Sequence, residues 1–455
     1  MIRSILIVGG GSAGWITANL LQALLHQSAE QDIQITVLES PDIPKIGVGE
    51  ATVPSIRRTL QTIGLDEKEF MRATDATFKN LIRFEGWNPG TSYDHPFDRR
   101  ARPDSDSAIA AWLHRADMMD NGFAKQFSLL SHIANAGLAP KAQGWPGYAS
   151  PFPYAYHLDA IKLAGMLAEH GRQTGIAHML ANVTDVEVDE RGHIAAVRTD
   201  TDETCTADLY IDCTGFRSIL HKQKLGVKQR DFSQYLLCDR AATMRVPYDI
   251  HQPASIKPYT TSSARSAGWS WDIALQGRRG LGYVYASAFQ SEADAEAELR
   301  ALEGPHCNDI AVQHIAFASQ KSQASWVGNC IAIGLSDGFL EPLESSGLYL
   351  IEFAAQALGE MLPYAKADTT VIAKSFNRQM DGIYDEVLEF LNLHYCLSTR
   401  TDTDFWREVQ KPEHVLDGLA EKLELWKLKP PGDMDFSSPL QLFSLQSHEY
   451  ILFGM

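Results

Sequence analysis

Cysteine is scarce in this sequence, and the cysteines that occur lie far apart. There are six in 455 residues, and none forms a C-x-x-C pair. This usage predicts reduced thiols with structural roles, as in cytoplasmic proteins, and it indicates no metal site. The six are Cys205, Cys213, Cys238, Cys307, Cys330 and Cys396.

Basic charge and long apolar runs are lacking as well. Lys and Arg total 40 against 57 Asp and Glu, so the formal net charge is -17. Such a chain lacks the basic face that nucleic acid binding requires. No apolar run approaches the roughly 20 residues that span a bilayer, and the first strand pattern begins too close to Met1 for a signal peptide. We therefore expect a cytoplasmic protein without nucleic acid or membrane partners.

The chain also lacks internal repeats and low-complexity linkers. Its 45% of hydrophobic and 21% of charged residues are ordinary for a globular protein. A chain of this length can bury a large core. Because no linker divides it, we expect domains that are interleaved along the sequence.

The first motif that is present combines a strand, a turn and a helix. The apolar run Ile5–Val8 is typical of a strand buried on both faces, and three glycines with G-x-G-x-x-G spacing follow it. They are Gly9, Gly11 and Gly14. Glycines there allow a tight turn and a close approach to a pyrophosphate, which the helix N-terminus faces. Glu39 ends the next apolar run, where an acidic residue binds an adenosine ribose. The pattern predicts a dinucleotide site, for NAD or FAD.

Two later segments are predicted to return the chain to this site. After a hairpin pattern over residues 183–198, the apolar run Leu209–Ile211 ends in a small-residue turn that contains Gly215. The run Gly328–Gly334 is another buried strand, and a helix begins after it at Ser345–Gly347. The N–H groups at such a helix start favour an anion.

Stretches spread over nearly the whole chain resemble the flavin-dependent tryptophan halogenase family, in the family's order. They are specific as a set, and they include Trp15 directly after the glycine motif, the loop Gly47–Pro54 and the run Gly338–Gly347. The sequence resembles a shorter member, because typical members continue beyond the position of Met455. The other matching stretches are Lys79 upstream of Phe84 and Trp87, Ala155–Asp159, Asp212–Phe216, Gly268–Ile273, His394-Tyr395 and Asp404–Trp406.

The resemblance implies a two-component halogenase. Reduced FAD (FADH2) reacts with O2, and chloride or bromide becomes hypohalous acid, which halogenates an electron-rich aromatic such as an indole or tryptophan derivative. The sequence has no second G-x-G-x-x-G motif and no NAD(P)H domain. The resemblance therefore implies that a separate flavin reductase supplies FADH2, and it is compatible with a homodimer.

With the resemblance, the patterns predict an α/β fold. A FAD-binding Rossmann-like domain is interleaved with an antiparallel-sheet substrate layer, and a helical C-terminal region follows. The expected domains are residues 1–375 and residues 376–455, the latter closing the substrate site. Within the first, the nucleotide-binding parts are about 1–70, 155–220 and 325–365, and the substrate-side layer comprises about 71–154 and 221–324.

The family's binding positions carry over to named residues of this chain. The backbone N–H groups of Ser346 and Gly347 are expected to hold the halide at the helix N-terminus. The residues expected to bind FAD are Gly9, Gly11, Ser12, Ala13, Gly14, Glu39, Gly49, Ala51, Val183, Gly215 and Leu335.

Two residues match the family's catalytic positions. Lys79 corresponds to the lysine at the far end of a tunnel from flavin to substrate. A desolvated amine there would be nucleophilic and form a haloamine, whereas an ammonium would hydrogen-bond hypohalous acid, and the sequence leaves both open. Glu344 corresponds to the catalytic glutamate, which accepts the ring proton or orients the oxidant. By residue type alone, the alternative for Lys79 is a solvated surface lysine, and the alternative for Glu344 is a carboxylate that caps the start of its own helix.

Aromatic residues match the family's substrate region. Trp269 and Trp271 fall in a W-x-W-x-I-P pattern, in which this chain has Ala274 in place of proline. In the family these tryptophans are thought to suppress hydroxylation. His95 and Phe97 match residues that stack on the substrate. By residue type alone, packing in the core explains these two residues and the two tryptophans at least as well. The short C-terminal end predicts a more open site, which suits an indole better than free tryptophan.

Two other functions remain open at this point. A flavin-dependent aromatic monooxygenase on the same fold would turn over without halide and without need of Lys79. A non-catalytic flavin-binding paralogue would bind FAD and form no product. The presence of Lys79, Glu344 and both tryptophans favours the halogenase.

Overall fold

The computed structural model describes residues 2–26, 33–43, 47, 49–98, 109, 112, 122–248, 256–365, 368–436 and 441–455. Within these ranges the strands form five sheets, and the two largest carry most of the layout. One large buried cluster of apolar side chains runs through both of them and the helices that cover them. No helix in these ranges has both the length and the apolar character to cross a membrane.

Six strands form the central sheet, and neighbours pair in parallel except for the first two at one edge. Parallel strands are apolar because helices cover both faces of such a sheet. The predicted return strands both lie in this sheet, which confirms that part of the sequence reading. In spatial order the strands are β20 (Trp326–Val327), β21 (Cys330–Ala332), β12 (Leu209–Asp212), β1 (Ser4–Val8), β2 (Gln34–Glu39) and β8 (Ala177–Leu180).

Seven strands form the second sheet, and its pairs are antiparallel except for one. The predicted antiparallel layer is thereby confirmed, and two strands from residues 81–96 extend it. The parallel pair consists of the fifth and sixth strands. In spatial order the strands are β18 (Gln313–Ala316), β14 (Arg240–Pro247), β17 (Arg278–Tyr285), β16 (Gly268–Ala274), β15 (Thr260–Arg265), β5 (Leu81–Glu85) and β6 (Ser92–Pro96).

Three small sheets complete the strands. One includes the predicted hairpin of residues 183–198, and another presents Lys79 at the end of a short strand. In spatial order, the first of these sheets consists of β11 (Thr204–Cys205), β10 (Ile194–Thr199) and β9 (Val183–Val188). The second consists of β13 (Gln229–Asp231), β19 (Gln320–Ser322) and β22 (Gly338–Phe339). The third consists of β3 (Glu50–Ala51), β7 (Ala155–Leu158) and β4 (Thr77–Lys79).

Helices cover the sheets, and local sequence sets their limits. One begins at Ala160 because the side chain of Asp159 accepts the N–H groups of Ile161 and Lys162 at 3.0 and 3.2 Å. The helices are α1 (Ser12–His26), α2 (Ile56–Ile63), α3 (Glu67–Ala73), α4 (Gly122–Phe127), α5 (Leu129–Asn135), α6 (Ala160–Gln173), α7 (Glu292–Glu303), α8 (Gly347–Met361), α9 (Thr370–Leu397), α10 (Asp404–Glu408), α11 (Asp417–Trp426) and α12 (Leu445–Leu452).

The longest helix, α9, shows why the C-terminal region reads as helical from sequence. Its apolar residues recur at three- and four-residue steps and are buried against the core. They include Phe376, Met380, Ile383, Val387 and Leu391. The α/β fold with a helical C-terminal region is confirmed, and the domain boundaries stay predictions. Within the loop 47–54, residue Val48 lies outside the described residues.

Candidate active site

The glycine motif forms a tight turn between β1 and α1. Gly9 has φ 117°, and a Cβ there would lie 2.2 Å from the carbonyl oxygen of Cys213. A Cβ on Gly14 would lie 1.8 Å from the carbonyl oxygen of Gly9, whereas one on Gly11 would have no neighbour within 4 Å. The first and third glycines are therefore needed for packing, and the second leaves room for a ligand beside the N-terminus of α1. These are the roles of a dinucleotide-binding turn, so the site fits FAD.

Glu39 lies beside this turn at the end of β2. Its Oε2 accepts from Nε1 of Trp15 at 3.3 Å and faces Nε2 of His178 at 3.0 Å. A Cβ on Gly10 would lie 2.2 Å from that carboxylate. The residue predicted to bind a ribose is therefore held at the glycine turn by two aromatic side chains. Val183 begins β9 directly after Asn182, whose Oδ1 accepts from the Ser40 hydroxyl at 2.5 Å.

Asp212 connects the other predicted FAD positions. This buried carboxylate accepts the N–H of His221 at 2.9 Å and lies 3.0 Å from Oγ of Ser336. The same hydroxyl is 3.2 Å from the carbonyl oxygen of Gly215. Gly215 and Leu335, the residue before Ser336, are thereby brought together at the end of the central sheet.

The remaining FAD positions flank the glycine motif or the small sheet beside it. Ser12 and Ala13 form the first turn of α1, and the Ala13 methyl would lie 2.9 Å from a Cβ on Gly334. Gly49 has φ 100°, and Ala51 lies in β3 opposite His157 of β7.

Lys79 lies on β4 and is fully buried. Its Nζ donates to the carbonyl oxygen of Thr52 at 3.0 Å and to Oγ of Ser345 at 2.8 Å. The ring of Phe97 is 5.2 Å from Nζ. Burial lowers the pKa of Lys79 to about 7, and the negative charge of Glu344 acts in the opposite direction. The solvated surface lysine is excluded, because burial removes the hydration that would stabilise the ammonium.

Glu344 is buried between two histidines. Its Oε2 is 2.9 Å from Nδ1 of His95 on β6, and its Oε1 is 2.9 Å from Nε2 of His394 on α9. Although burial opposes ionisation, these histidines lower the pKa of Glu344 to about 2. The carboxylate is therefore ionised at neutral pH, and it does not cap α8.

A strained turn separates Glu344 from α8. Ser345 has φ 61°, a left-handed conformation that is uncommon for residues other than glycine. Helix α8 begins two residues later at Gly347, and Ser346 precedes it. A Cβ on Gly347 would have no neighbour within 4 Å, and Oγ of the buried Ser346 has no partner among the described residues. The turn offers N–H groups and space at the positive end of a fifteen-residue helix, which suits a halide.

The predicted aromatic residues have different surroundings. Trp269 and Trp271 share one face of β16 with their rings 6.0 Å apart, and Nε1 of Trp269 donates to Oε2 of Glu341 at 2.9 Å. Phe97 faces Lys79, whereas the ring of His95 is buried among other aromatic rings. Those rings are Phe390, Phe443 and Tyr450. The structure thus places His95 against Glu344.

Sequence reasoning did not assign several groups at this site. His394 and Tyr395 belong to a matching stretch without a role, and Thr52 and Ser345 were not singled out as partners of Lys79. Glu341 is marked in the sequence itself, because it is a second acidic residue three positions before Glu344 in an otherwise apolar run.

The sequence profile of the tryptophan halogenase family matches residues 4–455. The 7-chloro-L-tryptophan 6-halogenase KtzR of Kutzneria sp. (strain 744) is 38% identical over 453 residues, which cover 93% of this chain and 85% of KtzR. The tryptophan 6-halogenase SttH of Streptomyces toxytricini is 36% identical over 449 residues, covering 94% of this chain and 84% of SttH.

Solved structures agree with the sequence comparison. The tryptophan halogenase of Shewanella frigidimarina NCIMB 400 matches with a TM-score of 0.94 and 36% identity, over 100% of this chain and 88% of that one. BrvH, a flavin-dependent halogenase from Brevundimonas sp. BAL3, matches with a TM-score of 0.88 and 34% identity, over 100% and 89%. This chain therefore belongs to the tryptophan halogenase family and is a flavin-dependent halogenase that uses FAD and a halide.

Proposed function

We propose that this enzyme halogenates tryptophan or a closely related indole, with Lys79 and Glu344 as catalytic residues. One observation carries the proposal: both side chains are fully buried, and they are connected through Ser345. Ser345 follows Glu344 in the chain, just before α8, and its hydroxyl oxygen accepts a hydrogen bond from Nζ of Lys79. The tryptophan halogenases KtzR and SttH support the substrate class.

The glycine turn and its neighbours are the proposed FAD site. The N–H groups at the start of α1 would face the pyrophosphate, and the space beside Gly11 would admit it. When bound, reduced FAD supplies the reaction of O2 with halide that yields hypohalous acid. The buried residues around Lys79 keep water from that oxidant.

The turn before α8 is the proposed halide site. Backbone N–H groups of Ser346 and Gly347 would donate to chloride or bromide, and the dipole of α8 adds to their attraction. The halide would then lie within three residues of Glu344 and beside Ser345, which contacts Lys79. Halide and lysine are thus linked through one short turn.

Lys79 has one position left for the oxidant. Two of the three positions around Nζ are taken by Thr52 and Ser345. In the amine the third is a lone pair that can attack the halogen, and in the ammonium it is an N–H that can donate to hypohalous acid. In either state the reactive halogen is held at one place relative to the substrate ring.

Glu344 serves the aromatic side of the reaction. Its permanent negative charge stabilises the cation that forms when a halogen adds to the ring. It can then take the ring proton, and His394 or His95 can share that proton.

We further propose a separate flavin reductase as the source of FADH2, since the sequence has no second nucleotide motif. All six cysteines are free, which fits the predicted cytoplasmic location. A homodimer is also predicted.

The proposal is tested with purified protein, FAD, a flavin reductase, NADH and either chloride or bromide. Tryptophan, other indoles and phenols are supplied in parallel, and products are identified by mass spectrometry. We expect a halogenated indole ring that requires both halide and reductase. Oxygenated product without any halogenated product would reject the proposal in favour of a monooxygenase.

A further inference from the structure

Glu341 is a second buried acid in the segment that carries Glu344. Its side chain is fully buried, and its Oε2 accepts from Nε1 of Trp269 at 2.9 Å and from the Tyr395 hydroxyl at 2.7 Å. The thiol of Cys238 also faces this carboxylate and lies 3.7 Å from the Tyr395 hydroxyl. Hydrogen-bond donors from β16, from α9 and from the loop before β14 therefore meet at one side chain.

No cation pairs with Glu341 among the described residues. Burial raises the pKa of Glu341 to about 7, although the three donors act in the opposite direction. Burying a carboxyl group without a countercharge is costly. An amide or an apolar residue would fill the same volume at lower cost. The cost indicates that the group does more than fill space.

The position of Glu341 suggests what it does. Glu341 bonds Tyr395, and Glu344 bonds the preceding residue, His394. The segment is thus joined to α9 at two successive residues. Through Trp269 it is also joined to β16, the strand that carries the two tryptophans. The proposed halide turn begins immediately after this double attachment.

We propose that Glu341 is a positioning residue that fixes the halide turn against β16 and α9. By doing so it sets where the halide lies relative to the tryptophan pair and Lys79. This inference rests on the halide site and catalytic residues proposed above. Displacement of reacting groups by about 1 Å can cost a hundredfold in rate. A shifted halide would meet the oxidising flavin less often, and O2 would then be spent on hydrogen peroxide.

The test is Glu341→Met, assayed as halogenated product per O2 consumed and as halide KM. Methionine fills a similar volume but offers no acceptor to Trp269 or Tyr395. An amide would not test the role, because its oxygen can accept both bonds while Oε1, which has no partner among the described residues, gives way to the NH2 group. We expect the product yield per O2 to fall about tenfold or more and halide KM to rise, with FAD affinity near wild type. Glu352→Met is the matched control. Glu352 is also buried on α8 with a pKa raised to about 7, but it bonds Thr59 instead.

Tyr395→Phe removes a single donor and decides the matter if Glu341→Met fails to fold. It should lower the yield in the same direction, and adding Glu341→Met to it should cost less than the two separate effects combined. Wild-type yield and halide KM in both single variants would overturn the inference, as would an equal loss in Glu352→Met. Failure of the wild-type protein to halogenate any indole would instead reject the proposed function.

Discussion

Oε1 of Glu344 lies 2.9 Å from Nε2 of His394, whose Nδ1 lies 2.8 Å from the carbonyl oxygen of Phe390. The imidazole of His394 thus bridges the carboxylate and a backbone carbonyl oxygen of its own helix, which fixes the orientation of the ring in the site. Nδ1 of His95 lies 2.9 Å from Oε2 on the other side of the carboxylate. The lowered pKa of Glu344, about 2, follows from these contacts. Glu344 therefore presents a permanent negative charge to the site.

The first prediction concerns that charge. Glu344→Gln should reduce the rate of halogenation by about 10²–10⁴-fold, the range for loss of a general base. The measurement is the single-turnover rate of product formation with FADH2 already bound. Glu352→Gln, which replaces a buried acid outside this cluster, should stay near the wild-type rate. A Glu344→Gln rate within threefold of wild type would contradict the assigned role.

The second prediction concerns the protonation of Lys79. With lysine labelled at the ε-carbon, one ¹³C resonance should titrate near pH 7 and be missing from Lys79→Met. Because the charge of Glu344 raises the pKa of Lys79, Glu344→Gln should move that midpoint to lower pH. A midpoint above pH 9 would contradict the desolvated lysine.

The pH dependence of product formation separates the two states of Lys79. The amine fraction grows as pH rises through 7, so a reactive amine makes the rate rise there. A reactive ammonium makes the rate fall over the same interval. A pH-independent rate from 6 to 9, measured with FADH2 bound, would exclude both.

The third prediction compares two glycines of the same motif. Gly11→Ala should fold normally but bind FAD at least about tenfold more weakly, because the methyl group would block the backbone approach to the pyrophosphate. Gly14→Ala should lose at least about 2 kcal/mol of unfolding free energy, because its Cβ would meet the Gly9 carbonyl. Flavin titration and thermal unfolding measure the two effects. The reverse order of effects would contradict the proposed site.

The fourth prediction concerns the halide turn. Gly347→Ala should preserve the fold, because its Cβ has no neighbour within 4 Å and alanine favours a helix. A methyl group between the N–H groups and the halide should raise halide KM at least about tenfold, as expected when one hydrogen bond to a charged group is lost. FAD affinity should stay unchanged. An unaltered halide KM would place the halide elsewhere.

Local patterns explain how much of the fold could be predicted. The strand before Gly9, the return strands and the stripe on α9 all follow from apolar spacing within short windows. The hairpin of residues 183–198 follows from its turn. Helix α11 begins only at Asp417, because a separate short turn that starts at Pro412 precedes it.

The contacts of the site could not be predicted in the same way. His95, Glu344 and His394 lie on a strand, a turn and a helix that are far apart in sequence, and no periodicity relates them. The left-handed Ser345 leaves no sign in sequence, since serine rarely adopts that conformation. By sequence alone Asp212 is an ordinary strand end, because its bond to the N–H of His221 is formed only in the fold.

The most direct test of the central claim is the product formed by Lys79→Met. The wild-type enzyme and this variant are loaded with FADH2 and supplied with O2, bromide and tryptophan or the best indole substrate. The account predicts that the variant binds FAD and consumes O2 as the wild type does, yet forms no halogenated product. Halogenation by the variant at more than a tenth of the wild-type rate would contradict the account.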